Sequence, residues 1–375
     1  MAAGDSLKDQ LFNATSVGQL AAEYEAGVPG FDGARFTQEA LAGFESRELM
    51  ARIDWLAECI AAQLSPDFPT MADQIEAAMP PALSADKRDD DFGQFIHAVP
   101  GILAVWHGLE AHRARALDLL HAATQRFSME FSIRYFLIRW PEETLTRMSD
   151  WASDPHYHVR RLASEGTRPV LPWGKAVGLS PEQTLPLLDR LHGDATRFVT
   201  RSVANHLNDL SKSHPDIVLQ RFEHWAEGAQ QDVKELAWMR KHALRTLIKK
   251  GHPGALAALG YRDDPNLKAD LRVAQSNLEI GQTLAFEAEI TSDNDLPVLV
   301  DYVIWFQKAN GTQAPKTFKL KTASVAAGKS LSINKKHVLR GNATTFKIYP
   351  GAHKIGLQVN GRIVADCVFD LAASA

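Results

Sequence analysis

Between residues 130 and 250 the sequence matches itself at a fixed interval. Val159 and Arg161 recur at a spacing of 40 as Val199 and Arg201, and a further 40 residues on as Met239 and Lys241. Asp154 and Asp194 precede the first two of these segments with the same offset and are suited to capping helices there. One more related segment lies upstream: Phe131–Leu137 resembles Tyr157–Ala163, offset by 26. Apolar residues at helical spacing place partner helices in between, at Glu142–Trp151, Pro181–Leu191 and Ile217–Trp225. A single helix pair cannot bury its apolar face. Pairs at a fixed period therefore stack on one another, and the result is a curved solenoid with a concave binding surface.

A period of about 40 residues is that of HEAT or armadillo repeats. The chain upstream also reads as helical, at Leu7–Phe12, Val17–Tyr24 and one long stretch Phe36–Ile60. A loop lies at Gly27–Gly33, and residues 61–92 hold Pro66, Pro69, Pro80, Pro81 and the acidic run Asp89–Asp91. Helical pattern resumes from Phe95 through Ile102 to Leu120, with Trp106 expected in its core. After about residue 275 the period switches to two, at Leu284–Ile290, Val298–Phe306, Thr317–Leu320 and Ile355–Val359, with glycine turns between. This predicts an immunoglobulin-like β-sandwich of about seven strands. Trp305 is expected as its core aromatic. The fold class is thus mainly α, a HEAT-like helical solenoid over residues 1–268 followed by an all-β sandwich over 275–375.

No apolar run approaches the ~20 residues that span a bilayer, and Met1–Lys8 lacks a signal-peptide pattern. With only Cys59 and Cys367, far apart, a disulfide framework is not expected and a reducing cytoplasm is. Charge is divided unevenly. Residues 1–120 hold 8 Lys/Arg against 19 Asp/Glu, residues 155–250 hold 15 against 10, and residues 270–375 hold 12 against 9. Two mildly basic regions behind an acidic third suggest a localised polyanion-binding face.

Chemistry concentrates in residues 156–174. Arg161 and Glu165 share a helix face, Gly166 can end that helix, and Pro169 and Pro172 stop it resuming before Trp173-Gly174. Glu130 has Arg134 at the same four-residue spacing. Arg201, Asn205 and Asp209 continue it along the next repeat. Such pairs also occur as inert inter-repeat ladders, and Trp173 could equally anchor its loop. His206, His214, His224 and His242 have no zinc-site spacing, and no phosphate loop is present.

The segments Met129–Leu137, His158–Pro169 and Leu171–Gly174 resemble the motifs of the AlkC family of HEAT-like-repeat DNA glycosylases, in the branch with a C-terminal immunoglobulin-like domain. That resemblance implies excision of cationic alkylated bases, 3-methyladenine and 3-methylcytosine, without base flipping and without metal or cofactor. It implies catalytic acids at Glu130, Glu165 and Asp209 and a lesion-facing Trp173. The partner it implies is double-stranded DNA, bound by a monomer. Phosphate contacts are expected from Arg134, Arg160, Arg161, Arg168, Arg201, Lys241 and Arg245. A basic turn of the sandwich, Arg340 and Lys347 with Asn342, Thr344 and Thr345 between, is expected to reach a groove. The alternative is a non-enzymatic DNA-binding or scaffold repeat protein.

Overall fold

A computed structural model describes residues 6–86, 92–341 and 347–373. The run Asp89–Asp91 and the turn residues Asn342, Thr344 and Thr345 lie outside the described residues. The chain divides into two compact units, one of residues 1–214 and 220–243, the other of residues 215–219 and 244–375.

The first half is helical: α1 (Leu7–Leu11), α2 (Ala14–Gly27), α3 (Gly33–Ala42), α4 (Leu49–Ala61), α5 (Phe68–Ala78), α6 (Val99–Leu103) and α7 (Arg113–Thr124). The stretch expected as one helix from Phe36 to Ile60 is two. Trp55 of α4 folds back, and its indole N–H reaches the Glu39 and Ala40 carbonyls at the end of α3, each at 3.3 Å. A Cβ on Gly43 would collide with that indole ring. The interval Phe95–Leu120 is likewise broken, by a 3-10 turn at Phe95–Ala98 and a π-turn at Ala104–Gly108. Trp106 sits on the π-turn and is exposed, contrary to the expectation of a core role. A π-turn shifts the side-chain phase of the helix that contains it, which periodicity cannot reveal.

The repeat region comprises α8 (Ile133–Arg139), α9 (Pro141–Trp151), α10 (Tyr157–Glu165), α11 (Pro181–Leu191), α12 (Arg197–Ser211), α13 (Pro215–Gly228) and α14 (Val233–Ala243). Helices α10, α12 and α14 lie side by side, with α9 and α11 against α10 and α11 also against α12. Val159, Val199 and Met239 are fully buried at matching positions, which is why they recur in the sequence. Asp154 and Asp194 stand two residues before the caps they were expected to be. His156 and Thr196 cap α10 and α12 with their side chains. The aspartates accept the backbone N–H of those same residues at 2.7 and 2.8 Å.

Two short helices follow, α15 (Arg245–Lys249) and α16 (Pro253–Ala257), then, among the described residues, eight strands: β1 (Lys268–Val273), β2 (Asn277–Glu279), β3 (Thr283–Thr291), β4 (Leu296–Gln307), β5 (Gln313–Val325), β6 (Ser330–Val338), β7 (Gly351–Val359) and β8 (Arg362–Ala372). They form a three-stranded sheet, β1-β3-β6, and a five-stranded sheet, β2-β8-β7-β4-β5. Strand β1 occupies the interval that the sequence left between helical repeat and sandwich. Along β4, Val300, Tyr302, Ile304 and Phe306 point into the core with Phe286 and Phe369. Trp305 falls on the opposite parity and is only partly buried, under Lys354 with Nζ 4.3 Å from its ring, so it is not the core aromatic.

Candidate active site

Three carboxylates and two guanidiniums form one alternating chain on the α8–α10–α12 face. Glu130 precedes α8, Glu165 is the last residue of α10 and Asp209 lies in the last turn of α12. Arg161 Nη1 donates to Glu130 Oε2 at 2.8 Å, an oxygen that also accepts from Ser128 Oγ at 2.8 Å. Arg161 Nη2 is 3.7 Å from Glu165 Oε2. Arg168 Nη1 donates to Glu165 Oε1 at 2.6 Å, and its Nε and Nη2 each lie 3.0 Å from Asp209 Oδ2. Lys212 Nζ ends the chain on Asp209 Oδ1 at 2.9 Å.

Arg161 and Glu165 meet because both are inside α10, one helical turn apart. Arg168 reaches Glu165 because the helix stops at Gly166, where a Cβ would press on Ile133 and Met148. Burial is the largest influence on Glu165 and favours its protonated form. The charges of Arg161 and Arg168 and the hydrogen bonds from Ser202 and Arg168 outweigh it, so its carboxyl is held below the ordinary glutamate range and is ionised at neutral pH. For Arg161 and Arg168, burial opposes the charge, yet the adjoining carboxylates hold both above the usual arginine value.

Beyond the network the chain makes a turn, Leu171-Pro172-Trp173-Gly174, closed by the Gly174 N–H on the Leu171 carbonyl at 3.0 Å. Trp173 occupies its third position with φ +62° and is 70% exposed. Glycine or asparagine normally takes that place; any other L-residue there costs on the order of 1 kcal/mol or more. Arg134 holds this loop from below. Fully buried, it donates to the Lys175 carbonyl and, at 2.9 Å each, to the carbonyls of Gly166 and Arg168. A large ring is thus projected into solvent on a strained backbone, in a loop that Arg134 ties to the end of the helix carrying Glu165.

Residues 119–247, which contain the entire network, match the model of the DNA alkylation repair enzyme family. Residues 268–373 match that of the C-terminal Ig-like domain of the uncharacterised protein YhaZ. YhaZ of Bacillus subtilis is 36% identical over 257 residues, 68% of this chain and 71% of that protein. The structure is similar to that of the alkylpurine DNA glycosylase AlkC of Pseudomonas fluorescens bound to DNA containing an abasic-site analogue. The TM-score is 0.85 at 32% identity, over 98% of this chain and 100% of the other. The chain belongs to the AlkC family.

Among the residues expected to form the site, Glu130, Glu165 and Asp209 come together through Arg161 and Arg168, and Trp173 lies on the turn that follows Arg168. Several expected phosphate contacts are otherwise occupied. Arg134 does not pair with Glu130, because residue 130 lies in the turn before α8 and four-residue spacing brings side chains together only inside a helix. Its burial also removes it from any phosphate. Arg160 is committed to Asp194, with Nε on Oδ2 at 2.5 Å, and to the Asp154 and Pro155 carbonyls. Arg161 and Arg168 are spent on the carboxylates. Arg201 is half-buried on α12, while Lys241, Arg245, Arg340 and Lys347 are exposed; Arg245, Arg340 and Lys347 belong to the second unit. Sequence reasoning misses Ser128 and Ser202, and it weighs His206 only as a metal ligand. Ser128 meets Glu130 within one turn, at a spacing that carries no signal, while the contacts of Ser202 and His206 with the end of α10 depend on which helices pack together.

Proposed function

We propose that this AlkC-family chain is a monofunctional DNA glycosylase. It hydrolyses the N-glycosidic bond of cationic alkylated bases, 3-methyladenine and 3-methylcytosine, in double-stranded DNA. The observation that carries this reading is the buried Glu165 carboxylate, held ionised by Arg161 and Arg168 within the chain of three acids.

A 3-methylated adenine or cytosine already bears a positive charge and leaves without protonation. What the site must supply is negative potential for an oxocarbenium-like sugar and an oriented water, both of which carboxylates provide. Exposure divides the labour. The Glu130 side chain is 16% exposed, against 5% for Glu165 and 3% for Asp209. Glu130 is the acid that a water can reach, and Glu165 and Asp209 set the field behind it. The stabilisation acts at the sugar, and Trp173 stacks against it, so the base need not enter a pocket. No flipping step is required.

In this reading the helix pairs stack as a HEAT-like solenoid whose concave side carries the network, and the chain works as a monomer without metal or cofactor. Arg201, Lys241 and Arg245 face phosphates. The immunoglobulin-like domain, residues 275–375 in the division read from the sequence, clamps the duplex through Arg340 and Lys347. A scaffold reading leaves the strain at Trp173 without a use, since a turn with positive φ at its third position is made more cheaply with glycine. Incubating the protein with methylated duplex DNA and separating released bases decides between the two. Glycosylase action yields free 3-methyladenine and 3-methylcytosine with matching abasic sites, and a scaffold yields neither.

A further inference from the structure

We infer that Ser202 is a positioning residue that holds Glu165 in its working state, an assignment that rests on the glycosylase reading above. Ser202 is 1% exposed on α12, 37 residues from Glu165 in sequence. Its Oγ donates to Glu165 Oε2 at 2.6 Å. The other carboxylate oxygen belongs to Arg168, and Arg161 stands off Oε2 at 3.7 Å, beyond hydrogen-bond reach. The direct hydrogen bond on Oε2 therefore comes from Ser202. Ser202 Oγ also lies 3.0 Å from Ser164 Oγ. It has one proton and the carboxylate is the stronger acceptor, so the Ser164 hydroxyl donates along that second contact. His206, one turn further along α12, secures the same helix end from Nδ1 to the Ser164 carbonyl at 3.1 Å.

The groups facing Glu165 are Arg161 on its own helix, Arg168 in the loop after it, Ser202 and His206 on α12, and Arg134 on α8. Glu130 and Asp209 act on it through the two shared guanidiniums. His206 is fully buried and pushed down to about 4 by that burial, so it is neutral across the working pH range. It does not compete for the Glu165 charge. Removing the Ser202 hydroxyl leaves a buried carboxylate oxygen without a hydrogen-bond donor. The hydroxyl's loss favours the protonated acid or a rotated carboxylate.

The test is Ser202→Ala in the full chain, read by single-turnover excision of 3-methyladenine across pH 4 to 8. We expect the acidic limb of the rate profile to move up by about one pH unit, the scale of losing one hydrogen bond to a buried charge. Excision at neutral pH should fall by about tenfold, with unchanged affinity for abasic-site DNA. In a Glu165→Gln background the same serine change should have no further effect, because there is no longer a charge to hold. An unmoved acidic limb, or an equal fall in both backgrounds, overturns the assignment. Ser202→Thr, which retains the hydroxyl, should restore the wild-type limb; a limb still displaced in a folded Thr variant also counts against it. Lack of excision by the wild-type protein would instead sink the glycosylase reading itself.

Discussion

Trp173→Gly should leave the fold as stable as before and damage excision. The ring is 70% exposed, so little burial is lost with it, and φ +62° is a conformation glycine adopts freely. Relief of backbone strain contributes on the order of 1–2 kcal/mol. Against it stands the greater freedom of glycine in the unfolded chain, about 0.5–1 kcal/mol. The balance lies between zero and about 1.5 kcal/mol of stabilisation, which for a unit of this size moves Tm by no more than ~6 °C. Stacking of an aromatic ring on a nucleotide is worth ~1–3 kcal/mol. Losing it lowers kcat/KM for 3-methyladenine excision by roughly 5- to 150-fold. Trp173→Phe keeps both ring and strain and should retain most activity. Thermal melts followed by circular dichroism, paired with excision rates, check both halves. A Tm drop of more than about 5 °C would mean that the ring anchors its loop, and unchanged excision would mean that it does not meet DNA.

Stability of the helical unit should decline as pH falls from 6.5 towards 4, because His206 is pushed down to about 4 by burial. In that window the unfolded chain takes up a proton that the folded chain refuses, which costs about 2 kcal/mol at pH 5. Replacing His206 with Gln should shrink the Tm difference between pH 7 and pH 5 by several degrees, and an undiminished difference would assign it to other groups. Lys241→Ala should lower the slope of log affinity against log salt by about one if this exposed lysine meets a phosphate, whereas the buried Arg134, changed to Lys, should leave the slope alone. Equal slopes for wild type and the Lys241 variant would remove that residue from the DNA-binding face.

Much of the architecture could be read in advance because buried positions at a fixed period leave a trace, as Val159, Val199 and Met239 do. The partner helices and the period-two strands left similar traces. The site was legible where chemistry followed local geometry: Arg161 and Glu165 share one helix, and their contact follows from spacing alone. Legibility failed where the same spacing lay outside a helix, as with Glu130 and Arg134. It failed again where contacts bridge distant segments, as between Arg168 and Asp209 or Ser202 and Glu165. The tryptophans Trp106 and Trp305 were misjudged because residue type says a ring prefers burial, but the π-turn and strand parity decide where it points.

The central claim is that the Glu165 charge, and not merely its shape, drives excision. Glu165→Gln preserves size and most hydrogen bonds while removing that charge. Single-turnover release of 3-methyladenine from duplex DNA at neutral pH measures the consequence directly. The account predicts a fall of ~10²–10³-fold, the scale for losing one preorganised electrostatic stabiliser, with affinity for abasic-site DNA nearly unchanged. A Glu165→Gln variant that excises at the wild-type rate would contradict it.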